Sequence, residues 1–245
     1  MEHSARKHRL LSHLPSIHIG GYMWLLAALL VLLIIAPLLS SFTVFTLRLS
    51  ALLSLFVLLA GIFAVSRSRI AVYTLSILAL CAVVLELLHH FGMNDWSAIT
   101  ANFFALFFLT GLFIIVEYDV FSDRQVTLET LAGACCGYIL MAAIFASIYS
   151  ILLQYNPEGL SLWEGTTFKS SDIIFQGEKY GVLGYFSITT LTTLGYGDIF
   201  PNSQATRSTA AIEAIFGQLY LAVIVARLVG MYITSRSVVQ PAADR

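Results

Sequence analysis

The chain has 245 residues, 58% of them hydrophobic and 11% charged, with a formal net charge of −1. A soluble domain carries about 25% charged residues, so this composition excludes one and points to a polytopic membrane protein. The near-neutral charge gives no reason to expect a nucleic acid partner, and neither a His-Glu-x-x-His motif nor a nucleotide-binding glycine loop is present. Cys81, Cys135 and Cys136 all fall inside apolar runs and are expected as small buried hydrophobes, not as disulfides or metal ligands.

A spanning helix needs roughly 20 apolar residues, and six such runs are predicted, at about 22–40, 49–66, 69–90, 98–117, 129–154 and 206–234. Before them, the leader 1–21 mixes Arg6, Lys7 and Arg9 with His3, His8, His13 and His18, a composition expected at lipid headgroups. The first span is too long for a cleaved signal peptide and no small-x-small site follows it, so it reads as a retained anchor. Residues 22–117 then form a four-helix transmembrane bundle. Its third span closes on Glu86, His89 and His90, read as an interfacial cluster, with a proton-sensing site as the alternative because His titrates near neutrality. The fourth span, "AITANFFALFFLTGLFIIVE" (Ala98 to Glu117), holds no Lys or Arg. Steep voltage dependence needs several charges moved through the field, each worth ~2.3 kcal/mol per 100 mV. An arginine-rich voltage sensor is therefore not expected.

A polar linker, 118–128, separates this bundle from the last two spans. On the fifth span Gly133 and Gly137 make a small-x-x-x-small step suited to close helix packing. The loop 155–205 begins polar and then turns apolar over "YGVLGYFSITTL", about 12 residues, which suits a re-entrant helix too short to cross. The sixth span carries Glu213, read as bracing the back of that short helix, with an interfacial position as the alternative. Arg227 either snorkels to the interface or pairs with Asp119, Asp123 or Glu129, coupling linker to gate. The tail 235–245 is short, so no cytoplasmic ligand-binding domain is expected.

Counting Lys and Arg across the alternating threading gives eight on one side (Arg6, Lys7, Arg9, Arg67, Arg69, Arg124, Arg236, Arg245) and four on the other (Arg48, Lys169, Lys179, Arg207). The positive-inside rule then puts both termini in the cytoplasm and 155–205 outside.

Between the re-entrant helix and the last span lies "TTLTTLGYGDIFP" (Thr189 to Pro201). Irregular backbone is tolerated at membrane depth only where protein or a water-filled cavity covers it. Gly195 and Gly197 can take backbone angles that other residues avoid. A strand alternating left- and right-handed conformations can turn successive carbonyls to one side, and several such strands around an axis can replace the hydration shell of a cation. Thr193 can add its hydroxyl at the cytoplasmic end, the short helix before it aims its negative end at the cavity, and Asp198 sits at the outer mouth. One strand cannot enclose an ion, so several copies are needed.

The six residues Thr193-Leu194-Gly195-Tyr196-Gly197-Asp198 resemble the signature of the tetrameric potassium channel family, a Thr-x-Gly-Tyr-Gly-Asp filter between a pore helix and an inner helix. The resemblance covers about 129–234. It implies an all-α membrane protein of six spans plus a re-entrant pore helix and filter strand, working as a homotetramer in the cell membrane, of prokaryotic inner-membrane type. It implies K⁺ held by the carbonyls of Thr193, Leu194, Gly195 and Tyr196 and by the Thr193 hydroxyl, with no cofactor, and lipids as the other partners. Gly217, in the stretch "GQLYLAVIVARLVG", falls where many members carry a hinge glycine. Leu194 stands where Val or Ile is commoner. The positions where members brace the filter Asp with Trp or Glu hold Tyr185, Phe186 and Thr189 here, and Tyr185 is a candidate phenol donor to Asp198.

Three rival readings follow from the same residues. One is a non-selective cation channel of the same fold. Another is a subunit that assembles only with other chains. The third is an intramembrane aspartyl protease, which the fragments Tyr118-Asp119 and Gly195-Tyr196-Gly197-Asp198 resemble. That chemistry needs two carboxyls at close range, and the threading puts Asp119 and Asp198 on opposite faces.

Overall fold

The computed structural model describes residues 20–39, 60–61, 69–90, 96–123, 126–162 and 176–239. Among these residues lie the helices α1 (Gly21–Leu39), α2 (Arg69–His90), α3 (Trp96–Ser122), α4 (Leu128–Tyr155), α5 (Gln176–Leu191) and α6 (Gln204–Val239). Strand β1 (Leu160–Leu162) pairs antiparallel with β2 (Ile199–Pro201), in the register Leu160↔Pro201, Ser161↔Phe200 and Leu162↔Ile199.

The chain is an all-α membrane protein. Three of the described helices are long and apolar enough to cross a bilayer, over Ile99–Ser122, Leu128–Tyr155 and Gln204–Met231. Gly21–Ile34, Ile70–Leu85 and Gly181–Leu191 are shorter apolar helices. The second expected span, 49–66, lies outside the described residues except for Ala60 and Gly61, which are helical and buried. Gly61 packs so closely on Leu112 that a Cβ there would lie 2.8 Å from Leu112 Cδ2. The leader, the side chains of Glu86, His89 and His90, the loop 163–175 and the last six residues also lie outside the described set.

The linker expected over 118–128 is shorter than the sequence suggested. Helix α3 continues to Ser122 because Val120 is apolar and buried at 2% exposure, which extends the packed stripe of Leu112 and Val116 by another turn. Helix α4 then starts on a defined cap. Thr127 is extended (φ −113°, ψ 167°), its hydroxyl accepts the Thr130 N–H, and the Thr130 side chain accepts the Thr127 N–H in return. Such a reciprocal cap satisfies two of the donors a helix start leaves open. Thr130 also donates to Asp123 at 2.7 Å, closing the turn between α3 and α4.

Helix α4 is the spine of the molecule. Its first half (Ala134, Cys136, Leu140) packs into a cluster with Leu25 and Leu29 of α1, Leu75 of α2 and Phe108, Leu112 and Val116 of α3. Its second half (Met141, Phe145, Tyr149, Leu153) packs with Leu183, Phe186 and Leu191 of α5. Gly133 and Gly137 let neighbours approach: a Cβ at Gly133 would lie 2.6 Å from Val120 Cγ2 of α3. All three cysteines are free; Cys136 is fully buried and Cys81 half-buried, whereas Cys135 is exposed on the chain's surface instead of buried as expected.

Candidate functional site

Helix α5 descends along α4 from its far end towards its middle. Phe186 meets Tyr149 edge-on at 5.0 Å, Ser187 donates to the Ala142 carbonyl at 2.7 Å, and the Leu191 carbonyl receives the Tyr138 hydroxyl at 3.2 Å. Leu191 also touches Gly217, in the interior of α6: a Cβ at Gly217 would stand 2.1 Å from the Leu191 oxygen. Helix α5 thus ends at mid-depth between two spanning helices. Its last carbonyls are occupied from below, Ile188 by the Thr192 N–H (3.0 Å), Thr190 by the Thr193 N–H (2.9 Å) and Thr189 by the Gly195 N–H (3.1 Å).

From that point the chain reverses and runs back to β2. Three residues have left-handed backbone angles, Thr193 (φ 56°), Gly195 (φ 53°) and Gly197 (φ 80°), and Leu194 and Tyr196 between them do not. Strict alternation of this kind is what turns successive carbonyls to a common side. For glycine it costs little; for Thr193 it is strained, and a β-branched residue there is a genuine outlier. Nothing lies within 4 Å of a Cβ placed at Gly195 or Gly197, and residues 192–198 are exposed on the chain's surface.

Two side chains hold this strand. The Tyr185 hydroxyl donates to Asp198 Oδ2 at 2.7 Å, and Asp198 Oδ1 accepts the Ile199 N–H at 3.0 Å. Phe186 and Thr189 do not reach Asp198: Phe186 stacks on Tyr149, and Thr189 donates to the Phe186 carbonyl at 3.0 Å. At the lower end Gln218 Nε2 donates to the Thr193 hydroxyl at 3.2 Å, a contact that the sequence reading missed. Only a polar residue directly after Gly217 hinted at it.

Glu213 is fully buried behind α5 and not at an interface. It accepts the Tyr149 hydroxyl at 2.7 Å on Oε2 and the Ser187 hydroxyl on Oε1, joining α6, α4 and α5. Helix α6 runs unbroken through Gly217, whose lack of a side chain here serves the close approach of Leu191. Above Gly217, Ser203 accepts the Thr206 N–H at 3.2 Å, and Thr206 donates to the Gly159 carbonyl at 2.6 Å, pinning the start of α6 beside β1.

At the other end of α6, Arg227 does reach the α3 terminus, but through backbone. Its guanidinium donates to the Val120 carbonyl and, at 2.9 Å, to the Asp123 carbonyl, and it lies 4.8 Å over the Phe121 ring. These are the open carbonyls of a helix C-terminus, where a cation is favoured. The carboxylates expected to pair with it hold other groups. Asp119 accepts the Tyr22 hydroxyl at 2.5 Å, Asp123 accepts Thr130, and Glu129 accepts the Tyr22 N–H at 3.3 Å, which fastens the start of α1.

Asp119 therefore sits by the first turn of α4, while Asp198 precedes β2, which pairs with the strand after α4's last turn. A helix of 28 residues at 1.5 Å each separates them by about 40 Å, far beyond what a protease dyad sharing a proton requires.

A family model described as an ion channel matches residues 134–234, from the first half of α4 through α5, the 192–198 strand and most of α6. The match, over about two fifths of the chain, makes this region similar to an ion channel domain, a likeness that points to a channel and not to an enzyme. Comparison with curated proteins and with solved structures gave no significant match.

Proposed function

We propose that the chain is one of four identical subunits of a K⁺-selective channel, conducting passively through a filter built from Thr193, Leu194, Gly195, Tyr196 and Gly197 of each copy. The observation that carries this reading is the alternation of left-handed angles at Thr193, Gly195 and Gly197 in a strand rising from mid-depth to Asp198. Backbone oxygens turned to one side replace the hydration shell of a dehydrated cation.

The need for other copies follows from solvation. Thr192, Thr193, Asp198 and Gln218 are exposed on the single chain, on the side the strand presents. Polar groups and irregular backbone cannot face lipid hydrocarbon, because each unsatisfied group there costs several kcal/mol. A water-filled cavity enclosed by further copies meets that need. In this arrangement Tyr185 and Glu213 brace the filter, Asp198 lines the outer mouth, Gly217 seats the base of α5 and is the natural place for α6 to bend, and both termini are cytoplasmic. The bundle of the first four spans, whose fourth span carries no arginine, is not a voltage sensor of the arginine-rich type.

Substitution within the strand tests the assignment. Gly195→Ala places a side chain at φ 53°, a region costing about 1–2 kcal/mol for an L-residue, in each of four strands. Tyr196→Val replaces an exposed aromatic ring of the strand with a smaller side chain. Both are expected to lose K⁺ conduction or K⁺-over-Na⁺ preference in reconstituted liposomes; an unchanged permeability ratio in both would sink the filter assignment.

A further inference from the structure

Helix α6 carries a second polar contact that the pore reading does not use. The Tyr220 hydroxyl lies 2.8 Å from Glu117 Oε1 on α3 and 2.7 Å from the Ala134 carbonyl on α4. Room for the pair exists because residue 137 has no side chain: a Cβ there would stand 1.9 Å from Glu117 Oε1 and 2.5 Å from the Tyr220 oxygen. The other carboxyl oxygen, Glu117 Oε2, is buried without a hydrogen-bond partner. Packing does not call for a carboxyl here, since the residues one turn away from Glu117 on α3, Phe113 and Val120, are apolar and packed in the core. An acidic group at membrane depth is expensive and marks function by default.

Seven residues further along α6, Arg227 holds the last carbonyls of the same helix α3. Two polar ties about 10 Å apart therefore join α6 to α3, the last helix of the first bundle. The upper tie is built to open. A phenol has one proton and Tyr220 has two acceptors within reach, so it can release Glu117 and keep the Ala134 carbonyl. Glu117 itself is only half satisfied, and a partly satisfied buried pair holds less tightly than a complete one.

We infer that Glu117 and Tyr220 form a reversible lock between α3 and α6, and that it sets how often the pore opens without affecting which ion passes. The inference rests on the pore reading above. It gives the first bundle a way to act on the pore that needs no moving charge.

The test uses the full-length channel in liposomes and single-channel recording, with Tyr220→Phe, Glu117→Leu, Glu117→Gln and the Tyr220→Phe/Glu117→Leu double variant. Tyr220→Phe keeps the ring that packs on Tyr138 at 5.7 Å. Loss of one buried hydrogen bond is expected to shift the open fraction by about three- to tenfold, in the same direction for Tyr220→Phe and Glu117→Leu, with the K⁺/Na⁺ ratio unchanged. The double variant is expected to shift no further than either single one, and Glu117→Gln, which keeps an acceptor, to stay near the parent. Additive shifts, no shift, a Gln that moves as far as the Leu, or a Tyr220→Phe chain that no longer assembles would each overturn the lock. Hydrogen–deuterium exchange of α6 around Tyr220 reads the lock without flux: faster exchange in Tyr220→Phe and Glu117→Leu supports it and unchanged exchange contradicts it. A parent channel with no K⁺ preference would instead overturn the pore reading, leaving the exchange result to decide the lock.

Discussion

Helices α4 and α6 are near-equal in apolar length yet opposite in packing. Of the apolar window of α4, 67% is buried within the chain; for α6 the share is 11%. Helix α6 keeps one stripe for its own chain, Thr206, Glu213, Gly217, Tyr220, Ile224 and Arg227, spaced by seven residues and then by three or four so that they share a face. Among the described residues, Glu213, Gln218, Tyr220 and Arg227 make their polar contacts on or beside that stripe. Ile215, Leu219, Val223 and Val225 remain uncovered. In water such a surface would be a liability; in a bilayer lipid satisfies it as well as protein does. What lipid cannot satisfy is the exposed polar strand beside it. The contrast teaches that α4 completes a fold, while α6 and the strand are left open for the proposed assembly.

Tryptophan substitution breaks the comparison most sharply. Ala142 of α4 is 3% exposed, and Ala142→Trp is expected to cost about 3 kcal/mol, enough to lose folded protein. Leu219→Trp, at a position 57% exposed, is expected to leave the chain folded and to reduce cross-linked tetramer instead. Similar outcomes for the two would remove the distinction. Removing the buried brace comes next. Glu213→Ala leaves the Tyr149 hydroxyl without its acceptor and Ser187 with the Ala142 carbonyl alone, an expected loss of about 1–3 kcal/mol; Glu213→Gln should recover most of it in thermal melts.

Gly217→Ala sharpens the join between the two helices. A Cβ 2.1 Å from the Leu191 oxygen forces α5 or α6 to shift, at a cost of about 2 kcal/mol. Potassium flux should fall along with stability, because the displaced carbonyl is the one Tyr138 holds, at the residue where α5 passes into the strand. If Gly217 acted solely as a bend, stability would be unaffected. The smallest effect is expected from Tyr185→Phe. Its hydrogen bond to Asp198 is largely exposed, so about 1 kcal/mol is lost, visible as faster decline of conduction during sustained opening and not as unfolding.

Much of the site could be read from the sequence because it is local. Thr193 to Asp198 are consecutive, Tyr185 lies thirteen residues before Asp198, and the distance from the strand to Glu213 fixes which part of α6 backs α5. The remaining contacts join residues far apart in the chain. Glu117 and Tyr220 are 103 residues apart, and Tyr22 and Asp119 are 97. Whether they meet depends on how each helix is rotated, and an apolar run with a uniform face does not record its rotation. The expected pairing of Arg227 with a carboxylate missed for a related reason. Charge pointed to Asp119 and Asp123, whereas the extra turn of α3 set open carbonyls in the guanidinium's path. Gly137 was legible as a close-packing residue but not as the one that makes room for a carboxyl.

The most direct test of the central claim is flux through the purified protein in liposomes under matched K⁺ and Na⁺ gradients, with Ba²⁺, which is close to K⁺ in size, as blocker. The account predicts K⁺ flux that Ba²⁺ stops, with little Na⁺ flux. Equal K⁺ and Na⁺ flux would contradict it and make the chain a non-selective channel with the same strand.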